Sequence, residues 1–254
     1  GVLLETLGFR GALWAMAGLL ALVLVGVVVS LPPMMGRKKA SKSVRELFAK
    51  NPGINALAAA RVVLFGARDV WFVVGIPIYF YAVLSDGSEA GDRAAFFIIG
   101  SFMAVWIILY GFVQGLAPKL LKATTATTPE ITQKAVLWVA GLTLIPLALS
   151  IAVSLNPPGL TPILVAGLMV FGFVFAVNSS VHSYLILAFT TGERVTMDVG
   201  FYYMANAMGR LIGTVLSGWV FQSWGLIACL WVSTAFVFLA AIISLRLPTH
   251  SFRK

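Results

Sequence analysis

Residues 56–84 read ALAAARVVLFGARDVWFVVGIPIYFYAVL, an apolar run interrupted by three charges, Arg61, Arg68 and Asp69. A bilayer core about 30 Å thick needs about 20 helical residues, so the run is long enough to span one. A charge in the hydrocarbon region costs a few kcal/mol or more unless it faces protein or water, so ionisable residues at that depth are functional candidates. Arg68 and Asp69 fall near the middle of the run.

Working outward, six further apolar runs fill the chain. The expected spans lie at about 12–31, 56–84, 94–116, 135–155, 162–190, 199–222 and 226–247, and the other charges inside them are Arg210 and, at the very end of the last, Arg246. Helices are required because the period-2 alternation of a barrel strand is missing and an open sheet edge cannot face lipid. With 60% hydrophobic and 11% charged residues, 254 residues could not hide their apolar surface in one soluble core. The chain reads as an all-α membrane protein of about seven transmembrane helices, with lipid as its solvent.

The net charge of +9 comes from basic residues crowded into the connections, above all Arg37, Lys38, Lys39, Lys42, Arg45 and Lys50. That placement follows the positive-inside rule, and no soluble basic fold is left to bind nucleic acid. The segment Ser85–Arg93 is acidic, whereas Lys119, Lys122 and Lys134 mark the next connection as basic. One orientation fits: the long basic loop, the loops near Lys119 and Arg194, and the C-terminus are cytoplasmic, in a multi-pass protein of the inner cell membrane. Val44, Leu47 and Phe48 recur at helical spacing within the basic loop, which predicts an amphipathic helix on the membrane surface.

Within the spans there is no metal-ligand cluster, no His with paired carboxylates and no nucleophile beside a base, so enzyme chemistry is not expected. Cys229 stands alone in an apolar run and reads as a small buried hydrophobe. A Gly-x-x-x-x-Gly-Lys nucleotide loop is not present. No cofactor is implied, and secondary transport remains.

The intramembrane charges set the expected site. Arg61 lies about five residues into its span, where its stem can snorkel to the interface. Arg68 and Asp69 are adjacent and diverge by about 100°, a poor geometry for an ion pair between neighbours, so each is expected to find a partner on another helix. Tyr203, Asn206 and Arg210 share one helical face as a polar stripe. The substrate-binding set is thus Arg68, Arg210, Asn206 and Tyr203. Asp69 is either the proton-coupling carboxylate or a structural partner of Arg210. His182, four residues after Asn178, is a second proton carrier or is held by an interhelical hydrogen bond. Three arginines against one aspartate make the region positive, and guanidinium binds phosphate or carboxylate through two parallel bonds. The expected partner is a small anion. Gly209, Gly213 and Ser217 repeat every four residues and read as a close helix-packing seam.

Gly8-Phe9-Arg10-Gly11-Ala12-Leu13-Trp14 and Gly225-Leu226-Ile227-Ala228-Cys229-Leu230-Trp231 share Gly, Leu and Trp at one register. They read as equivalent helix starts in two homologous halves. The chain opens on Gly1 inside what reads as a helix end at Val2 to Leu7, and is expected to continue from a missing N-terminal half. Residues 1–31 are then the end of a first half with its last helix, 32–55 a basic cytoplasmic linker, 56–247 a six-helix second half and 248–254 a cytoplasmic tail.

In this organisation the chain resembles the major facilitator superfamily over its whole length. That family carries a Gly-x-x-x-Asp-Arg type motif between the second and third helices of each half. Here Gly115-Leu116-Ala117-Pro118-Lys119 keeps the Gly and lacks the Asp, which weakens any transfer of that loop's gating role. Arg68-Asp69-Val70-Trp71-Phe72-Val73 and Gly200-Phe201-Tyr202-Tyr203-Met204-Ala205-Asn206-Ala207-Met208-Gly209-Arg210-Leu211-Ile212-Gly213 resemble the ArsJ family of organoarsenical efflux permeases. The resemblance implies proton-coupled export of a pentavalent arsenate ester such as 1-arseno-3-phosphoglycerate, as an antiporter in arsenic resistance. Another organic anion (a sugar phosphate or a carboxylate), a drug, or a non-transporting membrane scaffold are the alternatives.

Overall fold

The computed structural model describes residues 2–30, 51–121, 126–190 and 194–248. Most of the basic linker, with the expected amphipathic segment at Val44, Leu47 and Phe48, lies outside the described residues, as do residues 249–254 of the tail. The described residues form α1 (Val2–Ser30), α2 (Pro52–Phe72), α3 (Gly75–Leu84), α4 (Glu89–Leu120), α5 (Thr128–Leu155), α6 (Leu160–Phe189) and α7 (Val195–Ser244), with no strand among them. Six helical stretches, α2 and α3 counting as one, are long and apolar enough to cross a membrane. Phe96, Ile108, Phe112, Leu144, Leu155 and Leu211 lie exposed on their outer faces, as lipid solvation allows and water does not. The protein is a multi-pass membrane protein.

Local chemistry fixes the helix starts. Asn51 caps α2 by accepting from the Gly53 N–H at 2.8 Å, with Pro52 in the first turn, where its missing N–H costs nothing. Ser88 accepts from Gly91 N–H at 3.0 Å at the start of α4, and Thr127 and Glu130 form a reciprocal capping box on α5. In the turn before α4, Asp86 accepts from the Ser88 hydroxyl and backbone N–H, and these bonds hold its carboxyl below the usual range.

The expected spans are altered at two places. The run 56–84 is not one helix: α2 ends at Phe72 and α3 begins at Gly75. Pro77 has no N–H for the Val73 carbonyl, and the Val74 N–H turns instead to the Ser217 hydroxyl at 3.1 Å. The runs 199–222 and 226–247 are two limbs of α7, joined at Gly225 with φ 74°, ψ −170°, a conformation open essentially to glycine alone. The second limb folds back. A Cβ on Gly209 would meet Val62, one on Gly213 would meet Gly66 and Asp69, one on Gly66 would meet Phe236, and one on Gly53 would meet Pro248. The first limb therefore runs parallel to α2, the second antiparallel, and α2 is packed by both.

Gly8, the counterpart of Gly225 in the matched segments, takes the same conformation, φ 65°, ψ 177°. Beyond it α1 makes no broad contact with any other helix, and Trp14 is 78% exposed. The other helices bury two apolar clusters. One contains Leu64, Trp71, Trp106 and Phe175; the other contains Leu57, Ile131, Val181 and Tyr202. Along α2, Arg61 lies between Leu57 and Leu64; along α6, Asn178 and Ser179 lie between Phe175 and Val181. A polar layer thus separates the two clusters.

Candidate functional site

The centre of the polar region is Asp69 on α2, with a residue exposure of 1%. Arg68 reaches its Oδ1 through Nε at 2.6 Å and Nη2 at 2.5 Å. Arg210, from the first limb of α7, donates through Nε to Oδ2 at 3.3 Å. The interhelical pair expected for Asp69 is present. The expectation that neighbours could not pair is overturned: the Cβ directions diverge as helical geometry requires, but the long Arg68 stem curls back and brings two donors onto one oxygen. Three aromatic rings cover the Arg68 guanidinium, Phe65 at 5.1 Å, Phe175 at 5.5 Å and Phe72 at 5.9 Å. That surround offers the cation π faces in place of water.

Arg210 differs from Arg68 in its access. Its side chain is 61% exposed, and its contact with Asp69 is through Nε alone. It belongs to the first limb's polar flank, Tyr203, Asn206, Arg210 and Thr214, which helical spacing puts on one face. Tyr203 is 55% exposed, and Asn206 is partly buried with its Oδ1 lacking a protein partner. About a third of a turn away on the same limb, Met204, Met208, Leu211 and Val215 make an exposed apolar flank suited to lipid. The limb thus presents two exposed flanks of opposite character, with Gly209, Gly213 and Ser217 packed on α2 between the polar flank and the limb's remaining buried positions.

Arg61 does not snorkel. It lies about 14 Å into α2 at 1.5 Å per residue, because the helix begins at Pro52, and its residue exposure is 2%. Its Nη1 donates to the Ser179 hydroxyl at 2.9 Å and the Ser179 carbonyl at 3.2 Å. Its guanidinium lies over Phe65 at 4.1 Å and Tyr202 at 4.8 Å. Tyr202 is the buried neighbour of Tyr203.

Ser179 is the residue that sequence reasoning missed. Besides Arg61 it meets the Tyr110 hydroxyl and the Gln114 amide, each at 3.3 Å, and its carbonyl accepts from Ser183 at 3.0 Å. It ties α2, α4 and α6 together. Gln114 within an apolar run was the available signal. Asn178 and His182 are fully buried on the same helix, and neither side chain has a hydrogen-bond partner from the protein, so the interhelical bond expected of His182 is not made.

The described residues hold no group of three or more His, Cys, Asp or Glu side chains able to take a metal. The arrangement is one carboxylate, two arginines on it, a third arginine a few ångström beyond Phe65, and a polar flank leading to the exposed guanidinium. Such a set can bind an anion at Arg210 while Asp69 keeps Arg68 paired. Comparison with family models, with characterised proteins and with solved structures returns no match.

Proposed function

We propose that this chain belongs to a secondary active transporter that carries an organic anion across the membrane by alternating access, with Arg210 as the cation that meets the substrate, Arg68 as the cation that holds Asp69, Asn206 and Tyr203 as flanking contacts, and Asp69 as the proton-linked carboxylate. The observation that carries the reading is the unequal sharing of Asp69. One arginine is buried on it, and the other reaches it with a single nitrogen while most of its side chain stays exposed on a polar flank.

An oxyanion arriving along Tyr203, Asn206 and Thr214 meets the two Nη groups of Arg210, which match a carboxylate, phosphate or arsenate edge. As Arg210 turns to the anion, Oδ2 of Asp69 loses its donor and is open to a proton. When the anion leaves, Arg210 returns and the proton is released. Proton and anion therefore occupy the site together and cross in one direction, a symport cycle rather than the antiport that the resemblance implies, with export of the pair driven by the anion's excess negative charge in the inside-negative potential. His182 is a poorer candidate here, because it is fully buried and neither ring nitrogen has a hydrogen-bond partner from the protein through which a proton would pass.

The resemblance to organoarsenical permeases supports a pentavalent arsenate ester such as 1-arseno-3-phosphoglycerate, exported from the cell. The thiols that trivalent arsenic prefers are not offered by these residues. The test is growth. The full-length protein, expressed in a cell that also makes the ester, raises arsenate resistance, and the Arg210→Gln protein at equal abundance does not. Equal resistance with both proteins contradicts the proposal.

A further inference from the structure

We propose that Arg61 holds a small inorganic anion of halide size, chloride in the cell, at a site between α2, α6 and α7 that is separate from the Asp69 centre. A guanidinium is always charged in a protein, and a buried charge without a counter-charge is strongly unfavourable. Arg61 is 2% exposed, and no described carboxylate lies within ion-pairing distance of it. Asp69 is taken by Arg68 and Arg210. Asp198, one turn before Tyr202, is engaged by the Thr190 hydroxyl at 2.8 Å and by Arg194 at 3.6 Å.

Buried polar groups near Arg61, donors among them, are left without partners by the protein. Its own Nε–H has no acceptor, and neither the Asn178 amide nor either ring nitrogen of His182 has a partner from the protein. Asn178 is next to Ser179, to which Arg61 donates, and His182 is one turn beyond Asn178 on the same face of α6. A water molecule would leave the charge unbalanced; a monovalent anion accepts from the donors among these groups and balances it. Asn178 and His182 are fully enclosed, so the site excludes an organic anion and suits a monatomic one. Arg61 and Arg68 lie about 10 Å apart along α2, with the Phe65 ring within cation–π distance of both guanidiniums. The proposal holds whether or not the protein transports an organic anion.

The test is thermal unfolding of the full-length protein in lipid nanodiscs, with chloride or bromide replacing gluconate at constant ionic strength. The midpoint should rise saturably with halide, by roughly 3–5 °C at a tenfold excess over the dissociation constant. Arg61→Gln should abolish the rise. Asn178→Leu, which removes a donor without leaving a buried charge of its own, should abolish or greatly weaken it, and Arg210→Gln should retain it. A midpoint indifferent to halide in the unaltered protein overturns the proposal. So does a halide effect that persists in Asn178→Leu and disappears in Arg210→Gln, since the anion would then sit at the central arginine.

Discussion

Arg210 crosses from the first limb of α7 to place its Nε 3.3 Å from Oδ2 of Asp69 on α2, while most of its side chain stays exposed. The link joins two helices that run parallel and touch through glycine. It is made by one donor of the five that a guanidinium carries. A contact of that kind is easily exchanged for another anion.

Arg210→Gln should therefore leave the fold close to intact, because the exposed side chain contributes little packing and Asp69 keeps its two bonds from Arg68. Arg68→Gln should lower the yield of folded protein, since a side chain enclosed by three rings is removed from the core. Detergent-solubilised yield and chromatographic homogeneity of the two variants check this order; Arg210→Gln as the less stable of the two would contradict it.

Asp69→Asn separates coupling from structure. The neutral amide retains the shape and removes the proton-binding group, so substrate counterflow should persist while transport driven by a pH gradient is lost. Both activities intact would show Asp69 to be neither coupler nor necessary partner. A protein that fails to fold would assign Asp69 to a permanent structural pair, whose disruption costs about 3–5 kcal/mol.

The glycine seam gives a paired stability test. A Cβ on Gly209 would lie 2.2 Å from the Val62 carbonyl oxygen, whereas one on Gly218 meets nothing within 4 Å. Gly209→Ala should destabilise by about 1–3 kcal/mol through overpacking against backbone. Gly218→Ala should be neutral or stabilising by up to about 1 kcal/mol, the usual gain of alanine over glycine inside a helix. Denaturation midpoints of both variants measure the difference.

Gly225→Ala probes the turn between the limbs. Nothing crowds that position, so any loss is conformational strain, about 1–3 kcal/mol for a left-handed extended backbone on a residue with a Cβ. Gly8→Ala should cost a similar amount, because the matched glycine has the same dihedral angles.

How far the sequence could be read depends on which forces act alone. Seven apolar runs were legible because lipid obliges each segment to satisfy its own backbone. The reversal at Gly225 was legible as a glycine between two runs, and its likeness to Gly8 extends from sequence to backbone geometry. The break between α2 and α3 was hidden, because Pro77 inside an apolar run is compatible with an unbroken membrane helix. The depth of Arg61 depends on where α2 starts and on what α6 and α7 place around it, which spacing along one helix does not contain. The Arg68–Asp69 pair was missed because Cβ directions were taken to govern the reach of a long, flexible stem. Ser179 gave a weak signal, since a serine in an apolar helix reads equally as a small packing residue.

The central claim is that Arg210 exchanges Asp69 for the substrate's oxyanion. The most direct measurement is counterflow of a labelled phosphate or arsenate ester in proteoliposomes containing the full-length protein or its Arg210→Gln variant, incorporated at equal density. The account predicts saturable counterflow with the unaltered protein and at least a tenfold loss with Arg210→Gln, not recovered at high substrate. Equal counterflow from the two proteins would contradict it.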